Sequence, residues 1–192
     1  LSTLEAVTGA SGSEMERLSK LAKKLGSTTA FTATQVLELQ TNLAKLGFKT
    51  TEIEDATASI LDLAASLGVD LGEAAEFSGS VVRSFGLTTK DTQQVVDVMA
   101  RSTSSSALNF ESLRESMKLV APVSRSLDVS VEKTTALLAV LADRGLKGSI
   151  AGTGLAKTFI MLSKQGMTLE QGLDKLNASG GDLNTAIEMV GV

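Results

Sequence analysis

The stretch Leu43-Ala44-Lys45-Leu46-Gly47-Phe48-Lys49-Thr50-Thr51-Glu52-Ile53-Glu54 reads as the end of one helix followed at once by the start of another. Gly47 suits the left-handed residue that closes a helix, and Phe48 is placed to fold back on the last turn. Thr51 and Glu54 have capping-box spacing: the hydroxyl accepts from a backbone N–H three residues on, and the acid reaches back to the cap.

The same unit recurs outward in both directions. Stops of this form are Leu25-Gly26-Ser27, Leu67-Gly68-Val69, Phe85-Gly86-Leu87, Arg144-Gly145-Leu146 and Gln165-Gly166-Met167. In the long gap between Gly86 and Gly145, Asp128 of Leu127-Asp128-Val129 stands in the glycine's place. Start signals pair Ser13 with Glu16, Thr32 with Gln35, Asp70 with Glu73, Thr88 with Asp91 and Thr168 with Gln171. Phe31 and Val36 are spaced for a hydrophobic staple around Thr32.

Periodicity agrees with the caps. Val36, Leu39, Leu43 and Leu46 follow a 3-4-3 rhythm, as do Ala74, Phe77, Val81 and Phe85. Phe110, Leu113, Met117, Val120, Ser124 and Leu127 extend it. Each set is one apolar stripe of an amphipathic helix. Helices are predicted near 13–25, 33–46, 51–67, 71–85, 89–103, 110–127, 131–144, 150–164, 169–177 and 182–190. Leu1 to Val7 reads as the last turns of a preceding helix. The expected fold is all-α, a bundle of about nine to ten short helices, compact or slightly superhelical rather than a true repeat array.

Residues 1–192 are read as one helical domain cut from a longer chain, since Leu1 is not a Met and no signal-like segment follows it. The polar run Ser102 to Ser106 reads as an ordinary helix connection capped by Asn109, with a hinge near 102–109 as the alternative. Pro122 falls inside the helix at 110–127, where its ring crowds the Lys118 carbonyl and favours a kink.

Composition excludes most chemistry. The chain has no Cys and no His, so disulfides, thiolate metal sites and histidine-based triads are ruled out within it. Net charge is -4, from 18 basic and 22 acidic residues that are interspersed. No basic stripe tracks a phosphate backbone, which argues against sequence-specific nucleic-acid binding. No apolar run approaches the ~20 residues of a membrane span. With aromatics at 3% and hydrophobic residues at 43%, the core must be aliphatic.

Two patterns invite a site and fail. The glycine-rich stretch Arg144 to Thr158 places Lys157 three residues after Gly154, whereas a phosphate loop needs Lys directly after its second glycine. Gly148 and Gly152 instead suit one face of a helix that meets a neighbour closely, the expected neighbour being the helix with Pro122. Glu52 and Glu54, Glu73 and Glu76, and Glu111 and Glu115 are acid pairs by count. All lie in first turns, where acids favour the positive end of the helix dipole. No catalytic, cofactor or metal residue is assigned. The residues singled out are structural: Gly26, Gly47, Gly68, Gly86, Pro122, Gly145, Gly148 and Gly152.

Together these segments resemble the core domain of phage tail tape measure proteins, the minor tail proteins of long-tailed phages and prophages. The resemblance is carried by Val7-Thr8-Gly9-Ala10-Ser11-Gly12, by Leu21-Ala22-Lys23-Lys24-Leu25-Gly26-Ser27-Thr28-Thr29 and by Phe31-Thr32-Ala33-Thr34. Leu43 to Phe48, Asp62-Leu63-Ala64-Ala65 and Phe85-Gly86-Leu87 continue it. Its most specific pieces are Val120-Ala121-Pro122-Val123 and Leu141-Ala142-Asp143-Arg144-Gly145-Leu146-Lys147-Gly148-Ser149 with Gly152-Thr153. It runs from Val7 to Leu162 and weakens after Gly166.

The resemblance implies a non-enzymatic structural module with no cofactor, acting in tail assembly and tail length determination. Implied partners are tail tube, tail tip or hub, and tail assembly chaperones, with a homo-oligomer as a further expectation. The implied location is the virion tail, after synthesis in the bacterial host cytoplasm. Alternatives are a membrane- or cell-wall-active module used in genome ejection, or a generic helical interaction scaffold. A continuous helix gains ~1.5 Å per residue, and a stop every few turns folds that length back. The segment is therefore expected to be a folded module on the ruler, not the part that counts length.

Overall fold

Polar caps and left-handed residues set the element order. The computed structural model describes residues 2–190. Among these, the chain forms eleven α-helices and no strand. They are α1 (Ser2–Thr8), α2 (Gly12–Thr28), α3 (Ala33–Lys45), α4 (Thr50–Leu67), α5 (Leu71–Ser84), α6 (Thr92–Ser105), α7 (Phe110–Ser126), α8 (Val131–Asp143), α9 (Gly148–Lys164), α10 (Leu169–Ala178) and α11 (Leu183–Val190). A short 3-10 turn, Thr89–Asp91, precedes α6.

The expected all-α class is what the described residues form. The helix beyond the ten predicted is α1, which stands as an element of its own and buries Leu4. The chain divides into two units between Arg101 and Ser102, inside α6. The polar run read as a connection is helical as far as Ser105.

In the first unit, α3 packs against α1, α2, α4 and α5. Its core joins Leu18 of α2, Leu39 and Leu43 of α3, and Ile53, Ile60 and Leu63 of α4, all at most 1% exposed. In the second unit, α7 packs chiefly on α9 and also on α8. Leu113, Met117 and Val120 of α7 meet a core with Leu138 of α8 and Phe159 of α9. Ser124 interrupts the α7 stripe yet is fully buried, because its hydroxyl pairs with that of Thr134 at 2.9 Å. A buried hydroxyl needs such a partner to offset its desolvation.

Helix ends follow the sequence closely at most points. At Gly47 φ is +81°, and the Phe48 N–H donates to the Leu43 carbonyl at 3.1 Å, the six-to-one bond of a Schellman closure. The same bond runs from Val69 to Ala64, Leu87 to Val82, Leu146 to Leu141 and Met167 to Leu162. Asp128 takes the glycine role without being one: its φ is +56°, and Val129 N–H reaches Ser124 at 2.9 Å. Aspartate tolerates this conformation better than most residues.

Three start and stop assignments need correction. Helix α2 is capped by Ser11 with Glu14, not by Ser13 with Glu16; the Ser11 N–H donates to the Glu14 carboxylate at 2.7 Å. Helix α4 starts at Lys49 with Glu52, whose carboxylate accepts the Lys49 N–H at 2.7 Å, not at Thr51 with Glu54. A carboxylate three residues past the cap can close the box on any N–H, so the hydroxyl is not the deciding group. Gly26 is not a stop at all: α2 runs on to Thr28, and Gly26 keeps a helical backbone. A Cβ on Gly26 would lie 2.4 Å from the Ala33 backbone nitrogen, so glycine is there to let α3 begin against α2.

Candidate functional site

The second unit is built around the seam between α7 and α9. A Cβ placed on Gly152 would lie 2.5 Å from the Ser116 carbonyl oxygen and 2.8 Å from its Cα. Only a residue without a side chain permits that backbone-to-backbone approach. The buried Ser116 hydroxyl sits 2.7 Å from the Gly148 carbonyl oxygen and 2.8 Å from that of Ser112. Gly148 has φ +59°, and a Cβ there would meet the Glu115 carboxylate. The helix with Pro122 is thus the neighbour of Gly148 and Gly152, as expected.

The contact does not use the proline. It centres on Ser116, and Pro122 lies exposed inside α7, which continues to Ser126. A neighbour seated in a bend at Pro122 is not what holds α9, because Pro122 faces away from the buried stripe of Met117, Val120 and Ser124.

The remaining structural glycines serve chain reversal. Gly68, Gly86 and Gly145 have φ of +64°, +68° and +85°. Beside Gly47, the Arg83 guanidinium covers the Phe48 ring at 4.8 Å from its centroid.

The acid pairs are used locally. Glu52 caps α4, Glu54 pairs with Arg17 at 2.9 Å and Glu111 pairs with Arg114 at 2.8 Å. Glu73 and Glu76 point outward from α5. Hydrogen bonding shifts three other carboxyls. The Thr88 hydroxyl and N–H, at 2.7 and 2.8 Å, hold Asp91 below the usual aspartate range. The Ser11 N–H and hydroxyl do the same for Glu14. The Lys133 ammonium, bonded to Glu170, lowers that carboxyl. In each case the partner favours the charged form.

Among the described residues, no group of three or more acidic side chains is placed to hold a metal ion, and no helix is long and apolar enough to cross a membrane. A groove of about 240 Å³ lies where the C-terminal ends of α7 and α9 meet the start of α10. Leu127, Val129, Phe159, Leu162, Met167 and Leu169 line it, and no charged side chain does. It offers apolar contact and no acid–base group.

Comparison with known proteins identifies the family. The sequence profile of the phage-related minor tail proteins matches residues 19–191. The chain belongs to that family. It is 36% identical over 184 residues to the tape measure protein of Pneumococcus phage Dp-1, covering 96% of this chain and 16% of that protein. It is 31% identical over 155 residues to the probable tape measure protein of Escherichia phage P2, covering 80% of this chain and 19% of that one. No solved structure matches. The chain thus spans less than a fifth of the length of these tape measure relatives.

Sequence reasoning found Gly152 but missed Ser116, the other half of the seam. The available signal was Ser112 and Ser116, two small residues four apart on the buried side of α7. It also missed Gly79, over which the Leu46 and Phe48 side chains pack, and Gly172, which meets Leu162 and Met189.

Proposed function

We infer that this segment is a structural, non-catalytic module of a tape measure protein that acts in phage tail assembly, while the longer protein determines tail length. The observation that carries the reading is the 36% identity to a tape measure protein along 96% of the chain. The helix lengths support a module rather than a ruler. Among the described residues the longest helix, α4, has 18 residues, or about 27 Å. The partners are other tail proteins: tail tube, tail tip or hub, and assembly chaperones, with a homo-oligomer as a further expectation. The protein is made in the host cytoplasm and resides in the virion tail.

Duplicating the segment within the full-length protein tests this. Tail length in electron micrographs should stay unchanged, whereas inserting 192 helical residues into a ruler part would add about 290 Å. Tails lengthened by that amount would overturn the module reading. Deleting the segment should abolish normal tails. Normal assembly after deletion would remove the assembly role.

A further inference from the structure

Helix α9 has two faces of different fate. Its inner face, with Ala151, Gly152, Leu155, Phe159 and Leu162, is buried. Its outer face carries Ile150, Thr153, Gly154, Lys157, Ile160 and Lys164, and all six are exposed. Ile150 is 69% exposed and Ile160 40%. Between Ile150 and Lys157 the surface dips over Gly154, where a Cβ would meet nothing within 4 Å. This is a shallow gap on one helix face, with an apolar side chain at one end and a cation at the other.

The charge on this face has one sign. Helix α9 contains no carboxylate. Lys157 and Lys164 form no ion pair or hydrogen bond among the described residues. Arg144 and Lys147 in the turn leading into α9 are exposed and add two more cations near Ile150. At the N-terminal end of α9, Asp143 accepts the Ala107 N–H at 2.7 Å and Glu115 lies over Gly148 on the α7 side; at its C-terminal end the exposed Glu188 of α11 is held next to Lys164 by the Gln165 bond to its carbonyl.

We propose that the outer face of α9 docks an acidic amphipathic helix of another tail protein, whose apolar ridge fills the dip over Gly154 and whose carboxylates pair with Lys157 and Lys164. Helix-on-helix contacts use residues three, four and seven apart on one face, and Ile150, Gly154 and Lys157 stand at i, i+4 and i+7. Complementary charge sets the partner's sign. A second copy of this chain fits poorly, because a two-fold contact brings a patch against itself and would set lysine against lysine. A lipid surface would use the cations but would leave the gap over Gly154 without a role. The inference rests on the reading of the chain as a tail module.

The test is site-specific photo-crosslinking in the full-length protein during phage assembly, with the photoreactive residue at position 150 and the crosslinked peptide identified by mass spectrometry. The expected product is a helical segment of a different tail protein with more Asp and Glu than Lys and Arg. Lys157→Glu and Gly154→Leu should each lower its yield at least tenfold while the thermal midpoint of the protein does not fall. A crosslink to a second copy, to lipid or to a basic segment would overturn the proposal, as would no crosslink in tails that contain the protein. Absence of the protein from otherwise normal tails would instead overturn the tail-module reading itself.

Discussion

The Ser116 hydroxyl donates across 2.7 Å to the Gly148 carbonyl, tying the middle of α7 to the first residue of α9. One turn further along α9, Gly152 rests on the Ser116 backbone. A single residue of α7 therefore fixes both the spacing and the register of the seam.

Two substitutions two residues apart should have opposite signs. Gly152→Leu forces a side chain into the Ser116 backbone and should cost about 1–3 kcal/mol or more. Gly154→Ala adds a methyl in open space on an exposed helix and should stabilise by about 0.5–1 kcal/mol. Denaturant melts of the two variants check this. A stable Gly152→Leu protein would mean that the seam is not closed.

Ser116→Ala removes the donor but keeps the small volume. It should cost about 1 kcal/mol and leave the helical circular dichroism unchanged. A Gly152→Leu, Ser116→Ala double variant should be non-additive, because both act on one contact. Additive losses would separate the hydrogen bond from the close approach.

Gly26 and Gly68 fail for different reasons when changed. Gly68 has φ +64° and nothing near its would-be Cβ. Gly68→Val should cost more than about 1 kcal/mol, and Gly68→Asn much less, since asparagine tolerates the left-handed region. At Gly26 the limit is space against Ala33, so Asn and Val should both be costly. Equal tolerance of Asn at both positions would contradict the assignment.

The depressed carboxyls set an acid limit. Glu14 and Asp91 have folded pKa values below their ordinary ones. Their contribution is present above the ordinary carboxylate range and is lost as pH falls through the lowered folded value. The starts of α2 and of the turn before α6 should therefore stay capped through mild acid and fray below it. Thr88→Val should move the Asp91 titration, followed by NMR, back up towards its ordinary value. An unmoved titration would show that the hydroxyl is not the cause.

The parts of this fold that are legible in the sequence are those decided within about one helical turn. The closures after Leu46, Leu67 and Arg144 depend on a glycine and its neighbours, and Asp128 in the left-handed region was readable from its place in the same pattern. Gly26 has the same flanks as a stop, but its role is set by Ala33 arriving from the next helix. Local sequence does not encode that arrival. Ser116 was hidden for the same reason: its partner is 32 residues away. The outer face of α9 is not marked in the sequence, where Gly148 and Gly152 read as the packing pair and Gly154 has no assigned face; the fold buries Gly152 and exposes Gly154.

The closures at each helix end also bear on how the chain reaches its fold. Most packing partners, α2 with α3, α4 with α5, and α7 with α8 and α9, are close along the chain. Helical domains with such local topology fold in microseconds to milliseconds, and ribosomes extend a chain by about 5–20 residues per second. Each helix pair can therefore settle as it emerges, long before a protein of the relatives' length is finished. Ribosome-bound nascent chains long enough for Val190 to have cleared the exit tunnel should already resist protease across both units.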